Sequence, residues 1–156
     1  MEFSHFDEQG NAVMVDVSSK ENTKRTATAQ GTIQVSPEVM AAILQKKVRK
    51  GDVLTVAQTA GIMGTKRTPD LIPMCHPLML TNAAVTFKID EEANAITVFC
   101  TASTEGKTGV EMEALTGAAT ALLTIYDMCK AIDKRMVISD VHLVVKEGGK
   151  SGTFVY

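Results

Sequence analysis

Residues 104–134 read TEGKTGVEMEALTGAATALLTIYDMCKAIDK, a glycine-bearing polar loop followed by a run of strong helix formers. After Gly109 the run contains no proline and a single glycine, Gly117. Its apolar residues recur at steps of three and four, which is the spacing of one face of an α-helix. These apolar residues are Leu115, Ala118, Ala119, Leu122, Ile125, Tyr126, Cys129 and Ile132. We therefore predict an amphipathic helix that packs on the core of the protein.

Polar residues occupy the opposite side of this predicted helix. Glu113, Thr120 and Asp127 are spaced seven residues apart, so they share one face. Lys130 follows Asp127 by three residues, and Lys134 lies four residues further on the same side. An acid and an amine one turn apart can transfer protons, or they can form a surface ion pair of little energetic weight. The spacing alone leaves both interpretations open.

Length and composition indicate a single domain, which we assign to residues 1–156. Apolar residues make up 45% of the chain, enough to form a core, and the formal net charge of -2 gives no overall attraction for nucleic acid. The basic residues are nevertheless clustered, which favours local anion sites over a nucleic-acid surface, while scattered solubilising charge explains any one cluster equally well. The clusters are Lys46-Lys47-Val48-Arg49-Lys50, Lys66-Arg67, Lys134-Arg135, and Lys146 with Lys150.

The chain carries no pattern typical of secretion or membrane insertion. The N-terminal stretch is polar and lacks an apolar h-region, and no run of 18 apolar residues occurs. Cys75, Cys100 and Cys129 are odd in number and far apart, so they fit neither a disulfide framework nor a zinc site. Free thiols favour a reducing compartment. We expect a cytoplasmic protein with no membrane partner.

The remaining segments predict an α+β fold. Strand–helix–strand units of this size indicate a ferredoxin-like sandwich, with an antiparallel sheet and helices packed on one face. Apolar residues on both faces of the two hairpin strands, 82–89 and 95–102, also suggest that a second subunit covers the open face. In chain order we predict a loose arm over 1–12, a short edge strand over 13–17, a strand over 26–35, helices over 37–47 and 53–66, strands over 82–89, 95–102 and 136–146, and a Gly-rich tail over 147–156 that is mobile until something binds it.

The stretch TPDLIPMCHP, residues 68–77, contains three prolines, which argue against a regular helix and a central strand. It is too apolar for a free loop, so we predict a rigid, packed, extended segment. Such a segment would hold Cys75 and His76 in fixed positions. A lone histidine can equally be structural, and a metal site would need further ligands. Nothing in the sequence pairs His5 or His142 with it.

Several familiar catalytic motifs are absent. Gly106-Lys107-Thr108 matches the end of a P-loop, but the first glycine of that motif would fall on Thr101. Neither a nucleophile elbow nor zinc-type histidine spacing occurs. The helix start after this loop can still bind an anion, while Glu111 and Glu113 there suit the helix dipole. Enzyme chemistry would therefore rest on Lys and Asp, with His76 in support.

Three blocks taken together are far more specific than any single spacing. In order they are AGIMGTKRTPDLIPMCHPL (60–78), GKTGVEMEALTGAATALLTIYDMCKAIDK (106–134) and KEGGKSG (146–152). They closely resemble the MoaC family, the cyclic pyranopterin monophosphate synthases of molybdenum cofactor biosynthesis. The likeness extends from MVDVS (14–18) to GGKSG (148–152), which is nearly the whole chain.

This resemblance implies a ferredoxin-like fold, a homohexamer built as a trimer of dimers, and active sites at the dimer interface. It implies a lyase of the phosphorus–oxygen type. The substrate would be (8S)-3′,8-cyclo-7,8-dihydroguanosine 5′-triphosphate, a cyclised dihydro-GTP, and the products cyclic pyranopterin monophosphate and diphosphate. No cofactor is implied, apart from the option of Mg²⁺ accompanying the substrate triphosphate. The competing hypotheses are a non-catalytic nucleotide-binding regulatory module of the same fold and an oligomeric scaffold.

The resemblance also implies roles for individual residues. Asp127 and Lys130 are the expected catalytic pair. Our own hypothesis is that neighbouring cations lower the pKa of Lys130 so that it acts as acid and base, while Asp127 orients it or shuttles protons. Lys50 and Lys146 would neutralise the departing diphosphate or the cyclising phosphate. Met74 stands where leucine is common in the family, a change that a backbone contact survives. The expected substrate-binding residues are Met74, Cys75, His76, Met112, Glu113, Glu111, Lys50, Lys66 and Lys146.

Overall fold

The computed structural model describes residues 5–156, and within them a five-stranded antiparallel sheet is covered on one face by helices. The strand order is β2-β3-β1-β4-β5. The first four strands have the order of a ferredoxin-like sandwich, so the predicted α+β class is confirmed. The elements are β1 (Thr23–Gln34), α1 (Pro37–Leu44), α2 (Val53–Lys66), α3 (Thr68–Leu71), β2 (Leu80–Asp90), β3 (Ala95–Gly106), α4 (Glu111–Cys129), β4 (Val137–Glu147) and β5 (Phe154–Val155).

Small residues bring α4 close to both the sheet and α2. A Cβ placed on Gly117 would collide with the Cys100 sulfur on β3 and would lie 2.7 Å from the Thr65 methyl group on α2. A side chain at this position would therefore force α4 away from its neighbours. The buried inner face of α4 includes Ala114, Ala118, Ala121, Leu122 and Ile125, each fully inaccessible to solvent.

The proline-rich segment contains a short helix that the sequence analysis did not predict. Pro69 lies in the first turn of α3, where a missing N–H group costs nothing. The Thr68 hydroxyl is buried and donates a hydrogen bond to the Thr65 carbonyl at 3.1 Å. The prediction for residues 68–71 was therefore wrong. Residues 75–79 form neither helix nor strand, as the prolines predicted.

Two long elements end at different residues from those predicted. β3 continues to Gly106 because it pairs with β1 along its whole length, from Ala95 opposite Gln34 to Gly106 opposite Thr23. α4 ends at Cys129, so Lys134 lies beyond the helix and does not extend its polar face.

The two ends of the chain also differ from expectation. Residues 13–17 form no strand, so the predicted edge strand is wrong. The loose arm was predicted over 1–12, and residues 1–4 of it lie outside the described residues; Phe6 and Ala12 form an antiparallel bridge. At the other end, β5 pairs with β4 instead of leaving the tail unpaired, and the His142 and Tyr156 rings lie 4.3 Å apart.

The open face of the sheet carries hydroxyl side chains along β1 and β3. Cross-strand hydroxyl pairs join β1 to β3 at 3.0 Å, 2.7 Å and 3.2 Å. These pairs are Thr26 with Ser103, Thr28 with Thr101, and Thr32 with Thr97. The apolar residues predicted on this face lie on β2 and β3, where Ala84 is exposed and Phe99 is half-buried.

Candidate functional site

The C-terminal end of α4 carries a group of three charged side chains, Lys50, Asp127 and Lys130, which we name the lysine–aspartate cluster. Lys130 Nζ lies 2.6 Å from one carboxylate oxygen of Asp127, in the i, i+3 arrangement that the spacing predicted. Lys50 Nζ lies 2.8 Å from the other carboxylate oxygen and 2.9 Å from the Asp127 carbonyl. Lys50 comes from the loop between α1 and α2, so only the fold brings it here.

The electrostatics of this cluster differ from the expectation for Lys130. The hydrogen bond from Lys130, followed by that from Lys50, lowers the pKa of Asp127 to about 2. The Asp127 carboxylate in turn raises the pKa of Lys130. The expected lowering of the Lys130 pKa by neighbouring cations is therefore wrong for a single protomer. At neutral pH Lys130 holds a proton that it can donate, and Asp127 is ionised.

The N-terminal end of α4 borders a cavity of about 390 Å³. We name it the histidine–glutamate cavity after His76 and Glu113. Its wall combines the segment after α3 with the first turn of α4 and with residues from the N-terminal segment. The predicted residues that it brings together are Met74, Cys75, His76, Glu111, Met112 and Glu113, and it adds Val15 and Lys20.

Glu113 is the most unusual residue of this cavity, because it is a carboxylic acid only 3% exposed. Burial raises its pKa, and the nearby charge of Glu111 raises it further. None of the ion pairs formed within residues 5–156 involves Glu113. A buried carboxyl with a raised pKa is typical of a group that binds or exchanges protons with a ligand.

Cys75 and His76 are fixed beside this carboxyl. Burial raises the pKa of the Cys75 thiol, and the charge of Glu113 adds to the effect, so Cys75 stays protonated and is a poor nucleophile. The His76 Nε2–H group donates a hydrogen bond to the Val15 carbonyl at 2.8 Å. Because a carbonyl only accepts, Nε2 carries the ring proton. His76 is therefore held in orientation at the cavity wall, with its other nitrogen not used in this bond.

A single protomer does not bring the lysine–aspartate cluster and the histidine–glutamate cavity together. Glu113 and Asp127 are fourteen positions apart on α4, which corresponds to about 21 Å at a rise of about 1.5 Å per residue. Their predicted common face exists only in part, since Glu113 is buried and Asp127 is exposed. Polar residues of the candidate site thus lie at opposite ends of one helix.

The other two predicted lysines lie at separate places. Lys146 lines a small cleft with Arg25 and Glu111, next to the start of α4, and its ammonium contacts the Ser151 hydroxyl. Lys66 is exposed at the end of α2, where the preceding Thr65 packs near Gly117.

The contribution of residues 15–25 was not predicted, because the sequence indicated only a short edge strand over 13–17 followed by a polar linker over 18–25. Val15 and Lys20 line the histidine–glutamate cavity, and Arg25 bonds the loop that precedes α4. The available signal was the alternation of Val15 and Val17 within a polar stretch that resembles the family from residue 14 onward.

Two observations concern residues 5–156 as a whole. No helix there combines the length and apolar character required to cross a bilayer. No group of three or more His, Cys, Asp or Glu side chains there is arranged to hold a metal ion.

Cys75, Cys100 and Cys129 are free, and burial raises the pKa of Cys100 to about 12 and that of Cys129 to about 11.

Fold and site together define a class: a ferredoxin-like α+β protein with ionisable groups gathered at both ends of its longest helix. Comparison with known proteins makes this more specific. Residues 14–149 match the sequence model of the MoaC family. The chain belongs to the MoaC family, as the three sequence blocks indicated.

Relatives of the chain carry one name across distant bacteria. A cyclic pyranopterin monophosphate synthase of Clostridium perfringens (strain SM101 / Type A) is 59% identical over 151 residues, covering 97% of this chain and 96% of the relative. The protein of that name from Rhodospirillum rubrum is 56% identical, with coverages of 97% and 91%. The one from Geobacter sulfurreducens is 53% identical, with coverages of 99% and 96%.

Proposed function

We propose that this protein is a cyclic pyranopterin monophosphate synthase of molybdenum cofactor biosynthesis. It would convert (8S)-3′,8-cyclo-7,8-dihydroguanosine 5′-triphosphate into cyclic pyranopterin monophosphate and diphosphate. The observation that carries the proposal is the lysine–aspartate cluster, in which both lysines contact Asp127 within 3 Å. High identity to synthases along nearly the whole chain supports the same assignment.

Making a cyclic monophosphate from a triphosphate defines the proton transfers that the site must serve. A hydroxyl oxygen of the substrate bonds to the α-phosphorus, and the bond from that phosphorus to the bridging oxygen breaks. Its electron pair leaves on diphosphate, and the hydroxyl proton passes to a base. Departure of diphosphate in an internal cyclisation places the enzyme among the phosphorus–oxygen lyases. The accompanying ring rearrangement makes and breaks C–N bonds and needs further proton transfers.

We assign the proton donor to Lys130, which Asp127 keeps protonated. Asp127, with a pKa of about 2, is too weak a base for efficient proton abstraction at neutral pH and serves to orient Lys130. Once Lys130 has donated its proton, the neutral amine is the stronger base of the pair. Lys50 adds a positive charge for the phosphate oxygens.

We further propose that each active site is shared by two subunits of a dimer, and that three dimers form a hexamer. One subunit would supply the histidine–glutamate cavity, and its partner would supply the lysine–aspartate cluster. The distance of about 21 Å between these groups along α4 supports a shared site, because reacting groups must lie within about 3–3.5 Å of the atoms on which they act.

The proposed chemistry uses side chains alone, with Mg²⁺ entering only as a companion of the substrate triphosphate. We place the reaction in the cytoplasm, where three free cysteines persist as thiols.

The deciding experiment is to incubate the purified protein with the cyclised dihydro-GTP and to measure both products. One diphosphate released for each cyclic pyranopterin formed is the expected result. A nucleotide-binding regulatory module would return the ligand unchanged. A scaffold would show no dependence on either Lys130 or His76. Either result would reject the proposed function.

A further inference from the structure

The N-terminal segment, residues 14–22, contributes to the wall of the histidine–glutamate cavity without belonging to a helix or strand. In the part of the chain that the structure describes, two hydrogen bonds connect this segment to other regions. The His76 Nε2–H group donates to the Val15 carbonyl at 2.8 Å, and Lys107 Nζ donates to the Ser18 carbonyl at 2.6 Å. Because the segment has no regular structure of its own, its position over the cavity depends on these two bonds.

Lys107 lies on a well-fixed part of the fold, so it can anchor this segment. Arg25 Nε donates a hydrogen bond to the Gly106 carbonyl at 3.1 Å, and Arg25 Nη2 donates one to the Lys107 carbonyl at 3.3 Å. Lys107 is half-buried and does not line the histidine–glutamate cavity, although the next residue, Thr108, does. The contact through which the Lys107 side chain affects the cavity is therefore its bond to Ser18.

A carboxylate adds to the attraction between Lys107 and the N-terminal segment. Asp16 lies between Val15 and Ser18, and the Ser18 N–H group donates a hydrogen bond to Asp16 Oδ1 at 2.8 Å. This bond lowers the pKa of Asp16, and the charge of Lys107 lowers it further. Asp16 is therefore ionised at neutral pH, and the ammonium group of Lys107 is attracted to a negative charge as well as to a carbonyl.

The opposite wall is fixed by another residue, which leaves the orientation of the His76 ring to the N-terminal segment. The Thr104 hydroxyl, on a residue only 2% exposed, donates a hydrogen bond to the Met79 carbonyl at 2.6 Å. The backbone three residues after His76 is thus held by β3, whereas the ring itself bonds the Val15 carbonyl. Since a carbonyl only accepts, this bond selects the tautomer with the proton on Nε2 and leaves Nδ1 as an acceptor.

We propose that Lys107 is a positioning residue for His76. By binding the Ser18 carbonyl, Lys107 keeps the Val15 carbonyl, three residues earlier, against the imidazole ring. The ring then retains both its tautomer and its orientation at the cavity wall. This inference rests on the proposed function in one respect, the contact between His76 and the substrate, whereas the fixing of the ring does not depend on the reaction.

The first test measures the His76 ring directly, in full-length variants that change the net charge equally. Lys107→Ala removes the anchor, and Lys88→Ala removes an exposed strand lysine that does not line the cavity. The ring nitrogens are observed by ¹⁵N NMR at alkaline pH, where an ordinary imidazole is neutral, and are identified by their loss in His76→Ala. Wild type and Lys88→Ala should each show one protonated and one unprotonated nitrogen. In Lys107→Ala, exchange between tautomers should move the two signals toward each other.

The second test measures turnover of the cyclised dihydro-GTP. Lys107→Ala should lower kcat/KM by about tenfold, the factor expected when one charge-assisted hydrogen bond is lost. Lys107→Arg keeps a charged donor and should recover most of the activity, while Lys88→Ala should resemble wild type. Lys107→Ala combined with His76→Ala completes a double-mutant cycle. If Lys107 acts through His76, its removal costs little in a protein that already lacks the ring.

Unchanged His76 ring signals in Lys107→Ala would overturn the proposal and leave the proposed function intact. A further tenfold loss on adding Lys107→Ala to His76→Ala would do the same, as would equal losses in Lys107→Ala and Lys88→Ala. If the wild-type protein does not convert the cyclised dihydro-GTP, the proposed function fails. The ring signals of His76 then decide the role of Lys107 alone.

Discussion

The two ends of α4 place the same chemical group in opposite surroundings. Glu113, in the first turn, is 3% exposed, and burial raises the pKa of its carboxyl group. Asp127, near the last turn, has a side chain that is 56% exposed, and two lysines lower the pKa of its carboxyl group to about 2. One helix therefore carries one carboxyl group whose pKa is raised and another whose pKa is lowered.

Burial at Glu113 and ion pairing at Asp127 shift the two pKa values against the direction that the helix dipole favours. The dipole favours a negative charge at the N-terminus of α4 and disfavours one at its C-terminus, typically by about 0.3–1 kcal/mol. That effect alone would lower the pKa of Glu113 and raise that of Asp127. Both shifts have the opposite direction, because burial of a carboxyl group and direct pairing with ammonium groups each change a pKa by larger amounts.

The largest expected effect is the loss of the proton donor. Lys130→Ala should lower kcat by about 10²–10⁴-fold, since that is the usual contribution of a general acid or base. Lys134→Ala is the matched control, because Lys134 is exposed beyond the end of α4 and forms none of the ion pairs within residues 5–156. Turnover assays check both variants. A kcat for Lys130→Ala close to that of the control would contradict the assignment.

The separation of the two ends can be tested by mixing inactive subunits. Lys130→Ala damages the lysine–aspartate cluster, and His76→Ala damages the histidine–glutamate cavity. If each site takes one group from each subunit, co-refolded mixtures should recover about a quarter of wild-type activity, because half of the random dimers contain one intact site of two. The measurement is specific activity against mixing ratio. If each subunit carries a complete site, mixing restores nothing.

The buried carboxyl group of Glu113, in the first turn of α4, should destabilise the folded protein at neutral pH. Glu113→Gln removes a buried carboxyl group, so the melting temperature at pH 7 should rise, by about 2–4 °C for each kcal/mol of cost that is relieved in a protein of this size. The folded pKa lies above the ordinary value of 4.5, so the cost is absent below pH 4.5 and grows as the pH rises through the folded pKa. The gain should therefore vanish in acid.

Thermal melts across pH check this prediction, with Glu111→Gln as the half-buried neighbouring control. A gain that persists below pH 4.5 would show that ionisation of Glu113 is not its cause. The same substitution is expected to impair turnover, so stability and activity should change in opposite directions.

The smallest effect on stability is expected at the exposed C-terminal end of α4, where Asp127 pairs with two lysines. Removing Lys50 and Lys130 together should raise the pKa of Asp127 from about 2 toward its ordinary value of 3.8, as measured by NMR titration of the carboxyl group. The lowered pKa stabilises the fold above pH 3.8, and this contribution is lost as the pH falls from 3.8 through about 2. Because the pair is exposed, the melting temperature at neutral pH should change little. An unchanged Asp127 titration would refute the ion pairing.

The sequence predicted the fold where the signal is local. The periodicity of α4 and the alternation in the strands both lie within a few residues, so they indicated the element order and the ferredoxin-like class. The length of β3 was underestimated, because it depends on pairing with β1, which is distant in the sequence.

The site was predictable in part for the same reason. The contact between Asp127 and Lys130 follows from helical spacing, whereas Lys50 reaches Asp127 across 77 residues of sequence. The burial of Glu113 depends on packing against the segment after α3, which periodicity within α4 cannot reveal. Lys20 and Arg25 appeared as linker charges because only the tertiary structure places them beside cavities.

The close packing at Gly117 limits how this fold can be engineered for heat resistance. A glycine in a helix interior is worth about 0.8–1 kcal/mol less than alanine, so replacing it is normally an easy improvement. Here a methyl group has no room between Cys100 and Thr65, and the helix would have to shift. Thermostabilised versions must therefore come from solvent-facing positions such as Leu123, where a better surface residue disturbs no neighbour in the core.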